Sequence, residues 1–336
     1  MKHTLKLALL VLFAFYVIAC KQKVNSSIGS IERVDPALGD LIDPGAAIEI
    51  IADGFEWSEG PLWIPAEKML LFSDVPKNIV YKWTEANGKE VYLKPSGYTG
   101  TNSPYSGEEG SNGLTLNEDG KLVLCQHGDR RVSLMNASLN APASNFTALV
   151  DNFQNKKLNS PNDAVFNKNG VLFFTDPPYG LPGQAEDTVE RELPFHGIFK
   201  VANEKISLLC DSISRPNGIA LFPGQRKLIV ANSDPQKPIW YTFELSEKDS
   251  ITSASIFYDA TESARTDKGL PDGLKVDAEG NVFASGPGGI WIFDQRAKLL
   301  GKIRINELVS NCEFSEDGKT LYITADKYVL RVKLRS

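Results

Sequence analysis

Four side chains of this sequence place oxygen donors in matching local contexts: Glu59 in Ser58-Glu59-Gly60-Pro61, Asn162 in Ser160-Pro161-Asn162-Asp163, Asn217 in Arg215-Pro216-Asn217-Gly218, and Asp272 in Leu270-Pro271-Asp272-Gly273. Two are anionic and two are amides. A mixed set of carboxylate and amide oxygens suits a hard divalent cation, with Ca²⁺ the leading candidate, because such ions accept several oxygens in loose geometry. Zinc would call for imidazole or thiolate. The chain has three histidines, His3 in the N-terminal segment and then His127 and His196, too few for a zinc site of the usual kind. A cation held this way acts as a Lewis acid on a carbonyl or phosphoryl oxygen. The alternative for the whole set is turn chemistry, since Asn-Gly and Asp-Gly pairs tolerate tight-turn backbone, but Glu59 does not fit that pattern.

These residues are positioned by a repeated unit. Each precedes a short apolar strand, a Gly-containing turn and a second apolar strand, as in Leu274-Lys275-Val276, Glu279-Gly280 and Val282-Phe283-Ala284-Ser285. Two further units begin at Asn112 and Asn311, which makes six. Their spacing, about 50 residues with a shorter last step of about 40, matches a four-stranded propeller blade. The expectation is an all-β, six-bladed β-propeller over 47–336, with the entrance residues converging on a central channel. The strand Ala47 to Ala52 is expected to complete the last, short blade and so close the ring. Two insertions, Lys94 to Gly110 and Pro177 to Pro194, are long enough to be binding loops, with surface decoration as the plainer alternative.

The joint pattern resembles the SMP-30/gluconolactonase/LRE-like family. It is carried by Trp57-Ser58-Glu59-Gly60-Pro61, Ser160-Pro161-Asn162-Asp163, Thr175-Asp176-Pro177-Pro178-Tyr179-Gly180, Arg215-Pro216-Asn217-Gly218 and Leu270-Pro271-Asp272-Gly273, and it covers roughly Ile48 to the C-terminus. The run Cys125-Gln126-His127-Gly128-Asp129-Arg130-Arg131-Val132 resembles the bacterial gluconolactonase branch. The resemblance implies a metal-dependent hydrolase acting on a sugar lactone such as glucono-1,5-lactone. Glu59, Asn217 and Asp272 would be metal ligands, Asn162 a ligand or a substrate contact, Asn112 and His127 substrate contacts, and Asp272 also the catalytic carboxylate that takes a proton from the attacking water, with pure metal ligation as its competing role. A histidine satisfied at a strand end is the competing reading of His127. Related propellers hydrolyse organophosphates, and others only bind ligands, so both alternatives stand. The regucalcin branch carries an arginine where this chain has Ser160, so that branch's substrate contacts do not transfer.

Acidic groups outnumber basic ones 42 to 36 and no Lys/Arg-rich run occurs, which excludes nucleic acid as a natural partner. Residues 1–19 place Lys2 and Lys6 before the apolar run Leu7 to Ala19, the layout of a secretory signal. The segment ends in Val17-Ile18-Ala19-Cys20, which resembles a bacterial lipobox, so Cys20 is expected to carry lipid and residues 20–46 to act as a tether. Membrane contact would then be limited to that anchor. Cys125, Cys210 and Cys312 remain, an odd number without metal-type spacing, and are expected to be buried free thiols. Because several acyl chains give stable anchoring, Cys20→Ser is expected to move the protein almost entirely from the membrane to the soluble fraction; equal fractionation of the two forms would dismiss the anchor.

Overall fold

A computed structural model describes residues 27–101, 107–184 and 189–335, so the leader and Cys20 lie outside the described residues. Six antiparallel sheets follow one another around a central axis. The blades begin with the inner strands Ser58–Ile64, Ser111–Leu116, Ala164–Phe166, Pro216–Leu221, Leu274–Val276 and Val309–Phe314. Each inner strand pairs with an almost wholly buried second strand, such as Met69–Asp74 or Leu172–Asp176. These second strands are Val-, Ile-, Leu- and Phe-rich because both of their faces are covered by neighbouring blades. The core is therefore divided into clusters between blades, such as that of Trp240, Trp291 and Phe293 between the fourth and fifth.

The ring closes as the repeat requires. Ile48–Asp53 is the outer strand of the sixth blade, antiparallel to Tyr328–Lys333, with Ile48 opposite Val332 and Asp53 opposite Tyr328. The N-terminal strand and the C-terminal strand thus share one sheet, and the outer edge of Tyr328–Lys333 is paired.

Part of the segment expected as a tether is built into the domain. Ser30–Arg33 adds a fifth strand to the fifth blade, pairing with Leu299–Arg304. After it, the short helix Leu38–Leu41 plugs Leu38 into the core beside Phe283, Ile303 and Val332, and Ile42 follows it there. Gly301 allows this, since a Cβ at that position would lie 2.4 Å from the Glu32 carbonyl oxygen and 2.5 Å from the Leu38 side chain. The sequence signal was weak because Ile31, Val34, Leu38, Leu41 and Ile42 are scattered through a polar stretch without a regular period.

Two devices tie neighbouring blades together at the channel mouth. Hydroxyls reach across: Ser73 Oγ donates to the Asn112 carbonyl (2.9 Å), Thr175 Oγ1 to that of Asn217 (2.6 Å), Ser233 Oγ to that of Pro271 (2.6 Å), Ser285 Oγ to that of Ser310 (2.9 Å), and Ser310 Oγ to that of Ser58 (2.7 Å). Between the second and third blades the Gly113 N–H donates to the Asn162 carbonyl at 2.7 Å. The second device is close backbone approach. A Cβ at Gly218 would lie 2.3 Å from the Asp272 carbonyl oxygen, and one at Gly113 would lie 2.7 Å from that of Asn162. Both glycines sit inside strands without positive φ, so the Asn-Gly pairs are not turns; the glycine makes room for the next blade's entrance residue.

Cys125, Cys210 and Cys312 are free thiols, as expected, although Cys210 is only half-buried. Removing the Leu38 side chain tests whether the N-terminal segment is integral. Leu38→Ala is expected to cost ~2–5 kcal/mol in chemical denaturation, the usual loss for an enclosed leucine; a change within about 0.5 kcal/mol, typical of a surface site, would make the segment peripheral.

Candidate metal centre and substrate cavity

At the channel mouth lies a cavity of about 340 Å³ whose walls include Glu59, Asn112, Asn162, Asn217 and Asp272. All four sequence-predicted metal donors and the predicted substrate contact Asn112 therefore meet in one place. They come from the first five blades, each carried at or just before the start of an inner strand. The sixth equivalent, Asn311, stands behind them: its side chain hydrogen-bonds Glu59 and its Oδ1 accepts the Cys312 N–H at 2.8 Å.

Each donor is held from behind. Glu59 Oε2 accepts the Gly60 N–H at 2.8 Å. Asn217 Nδ2 donates to Ser233 Oγ at 2.9 Å, and the same amide hydrogen-bonds Asp272. The Asn162 N–H donates to the Thr175 carbonyl at 2.9 Å. Asp163, which stands where four other units have glycine, spends its carboxylate on backbone: Oδ1 accepts the Ala164 N–H at 2.9 Å and Oδ2 the Ile219 N–H at 3.2 Å.

The electrostatics favour a cation. Burial pushes the Glu59 carboxyl up, against the Gly60 N–H and with the charges of Asp163 and Glu108. Burial also pushes Asp272 well up, reinforced by the charges of Glu59 and Glu108. Two buried carboxylates that repel one another are costly unless a positive charge joins them. One oxygen, Asp272 Oδ1, is buried without any hydrogen-bond partner. An orphaned carboxylate oxygen beside a second carboxylate and two amides is a donor set that fits a hard divalent ion. Among the described residues no three His, Cys, Asp or Glu side chains form a ligand cluster, as expected of a site half composed of amides.

Several wall residues were not singled out from the sequence. Glu108 comes from the first insertion and Tyr179 from the second, and both also border an adjoining cavity of about 300 Å³. The first insertion is pinned by Asn78, whose Oδ1 accepts the N–H groups of Ser96 (2.9 Å) and Gly97 (2.7 Å), and by the Gly110 N–H bond to the Val75 carbonyl (2.9 Å). The second is anchored by Ser160, whose Oγ donates to the Pro177 carbonyl (2.6 Å) and accepts the Gly180 N–H (2.9 Å). That is the role of the serine that replaces the regucalcin-branch arginine. Trp57 and Arg215 complete the wall; both stood in quoted motifs, but aromatic and basic neighbours of a donor carry no spacing signal of their own.

His127 does not join the cavity wall. It follows the strand Leu122–Gln126, is fully buried, and lies under Gly180, where a Cβ would come within 2.5 Å of the histidine's own. Of the two readings of His127, substrate contact or histidine buried at a strand end, the structure shows burial beside a strand end and apart from the residues that line the cavity. The glycine lets the second insertion settle directly on the imidazole and cover it. Neither ring nitrogen has a hydrogen-bond partner, and Nδ1 is 3.6 Å from Glu108 Oε2. Burial pulls its pKa down to about 3, so the ring is neutral.

Fold and cavity together define a six-bladed propeller with an oxygen-lined axial site. The SMP-30/Gluconolactonase/LRE-like profile matches residues 57–327, and the chain belongs to that family. It is 38% identical over 328 residues to a gluconolactonase of Zymomonas mobilis, covering 95% of this chain and 90% of that protein. A gluconolactonase structure from Xanthomonas campestris superposes with a TM-score of 0.78 at 26% identity, over 92% of this chain and 97% of the other. The calcium-binding regucalcin of Agrobacterium tumefaciens shares the fold, with a TM-score of 0.64 at 17% identity over 85% and 94% of the two chains.

Proposed function

We propose that this chain hydrolyses a sugar lactone, glucono-1,5-lactone being the first compound to try, with a divalent cation held by Glu59, Asn162, Asn217 and Asp272. The observation that carries the reading is the buried, partnerless Asp272 Oδ1 among three other oxygen donors on the axis. The 38% identity to a gluconolactonase over nearly the whole chain supports the choice of substrate class. The open, oxygen-lined mouth disfavours a purely structural propeller, whose channel would be filled by bulky apolar side chains.

Such an ion, when bound, polarises a carbonyl oxygen and stabilises the negative charge that develops on it. The chain's own residues do the rest. Glu59 and Asp272 supply the negative charge that holds a cation, while Asn311 and the Gly60 N–H fix the direction of Glu59. Asn112 offers an amide to sugar hydroxyls, Arg215 offers guanidinium donors, and the Trp57 indole gives the C–H face of a sugar ring a flat apolar partner. With its orphaned oxygen assigned to the ion, Asp272 serves as ligand. The N-terminal segment adds the proposal that the enzyme works outside the cytoplasm, held to a membrane through lipid on Cys20.

Exhaustive chelation is expected to abolish lactone hydrolysis, and Ca²⁺ or another hard divalent ion to restore it. Asn217→Ala and Asp272→Asn should each raise the metal concentration needed for half-maximal rate, the second by more because it also removes a charge. Excess metal should partly rescue both. Full activity after chelation in a metal-free buffer would refute the metal assignment.

A further inference from the structure

Three carboxylates face the cavity, and the proposed ion engages only two of them. The third, Glu108, reaches the site from the first insertion rather than from an inner strand. It stands at the junction of the metal cavity and the adjoining space of about 300 Å³, so its carboxylate faces both the reacting centre and room for water. Its place is set by backbone: the His127 N–H donates to the Gly110 carbonyl and the Gly128 N–H to the Glu109 carbonyl, both at 3.2 Å. These two bonds lay the end of the insertion along the residues that carry His127. The neutral His127 imidazole stands beside Glu108, with Nδ1 3.6 Å from Oε2, just beyond hydrogen-bond distance.

We propose that Glu108 is the proton-transfer residue of the lactone hydrolysis, and that His127 is the positioning residue that holds it. This rests on the lactone-hydrolase reading above. In the first step, water attacks the lactone carbonyl carbon, a C–O bond forms, and the departing water proton moves to the Glu108 carboxylate. In the second, the tetrahedral species collapses, the ring C–O bond breaks, and Glu108 returns that proton to the ring oxygen. The product is the open hydroxy acid, and the carboxylate is restored with no other reagent.

Two features make Glu108 suited to this. It lines both the metal cavity and the adjoining space, so a water can stand between it and the reacting centre. Neutral His127, sealed under Gly180, cannot reach the substrate to compete as base, yet its Nδ1–H can orient the Glu108 carboxylate.

The test uses the full chain with Ca²⁺, comparing wild type, Glu108→Gln, Glu108→Ala and His127→Phe on glucono-1,5-lactone, with Ca²⁺ affinity measured by calorimetry alongside. Glu108→Gln is expected to lower kcat by ~10²–10⁴-fold, the usual share of a positioned acid–base group, while Ca²⁺ affinity stays within about threefold. Added formate, a small replacement carboxylate, should recover part of the activity of Glu108→Ala and none of Glu108→Gln. His127→Phe should lower kcat with KM unchanged, whereas loss of a substrate contact would raise KM. A Glu108→Gln enzyme with kcat within about fivefold of an active wild type would overturn the assignment, because acid–base catalysis contributes at least about a hundredfold. So would loss of Ca²⁺ affinity in parallel with activity and without formate rescue. An inactive wild type with intact Ca²⁺ binding would instead remove the lactonase reading on which the assignment stands.

Discussion

The structure depends on how closely each inner strand is pressed against the next at the axis. A glycine such as Gly218 lies where any side chain would collide with the Asp272 carbonyl, and hydroxyls such as Thr175 and Ser233 hold the adjoining carbonyls in place. These contacts run between blades, so they fix each entrance residue relative to its neighbour rather than to its own sheet. A ring of such contacts is rigid because none can relax without moving the whole circle. The donors of the candidate metal site are thereby assembled by the packing that closes the fold, before any ion arrives.

That rigidity explains why the site can hold an unfavourable electrostatic arrangement. Glu59 and Asp272 are pushed towards their neutral forms by burial and by mutual repulsion, and Asp272 Oδ1 is buried without a partner. Left alone, such a group would be a liability of ~1–3 kcal/mol or more. A stored mismatch of this kind fits a place built for a ligand, and its oxygen donors suit the hard cation proposed above.

Much of this was legible in the residue pattern. The six strand–turn–strand units and the matching positions of Glu59, Asn162, Asn217 and Asp272 carried the blade number and the convergence on one cavity, and the short last unit carried the closure by Ile48–Asp53. What the sequence hid was contact between units. The glycines after Asn112 and Asn217 looked like turn residues because their neighbours in the next blade are about 50 positions away. Leu38 looked like spacer because a single buried side chain has no period. Glu108 carried no signal at all, since its place is set by Asn78, Val75 and His127, each held by backbone geometry that only the closed ring creates. For His127 the sequence left two readings open, because its burial under Gly180 depends on a loop contact that no local pattern reports.

The central claim is that inter-blade packing, and not the donors alone, makes the metal site. Calorimetric titration of Ca²⁺ into the wild type and into Gly218→Ala tests it directly, because the substitution leaves all four donors in place and disturbs only the approach to Asp272. The account predicts one ion bound by the wild type and an affinity at least about tenfold weaker in the variant, equivalent to about 1.4 kcal/mol. A wild type that binds no divalent ion, or a folded Gly218→Ala protein that binds it equally well, would contradict the account.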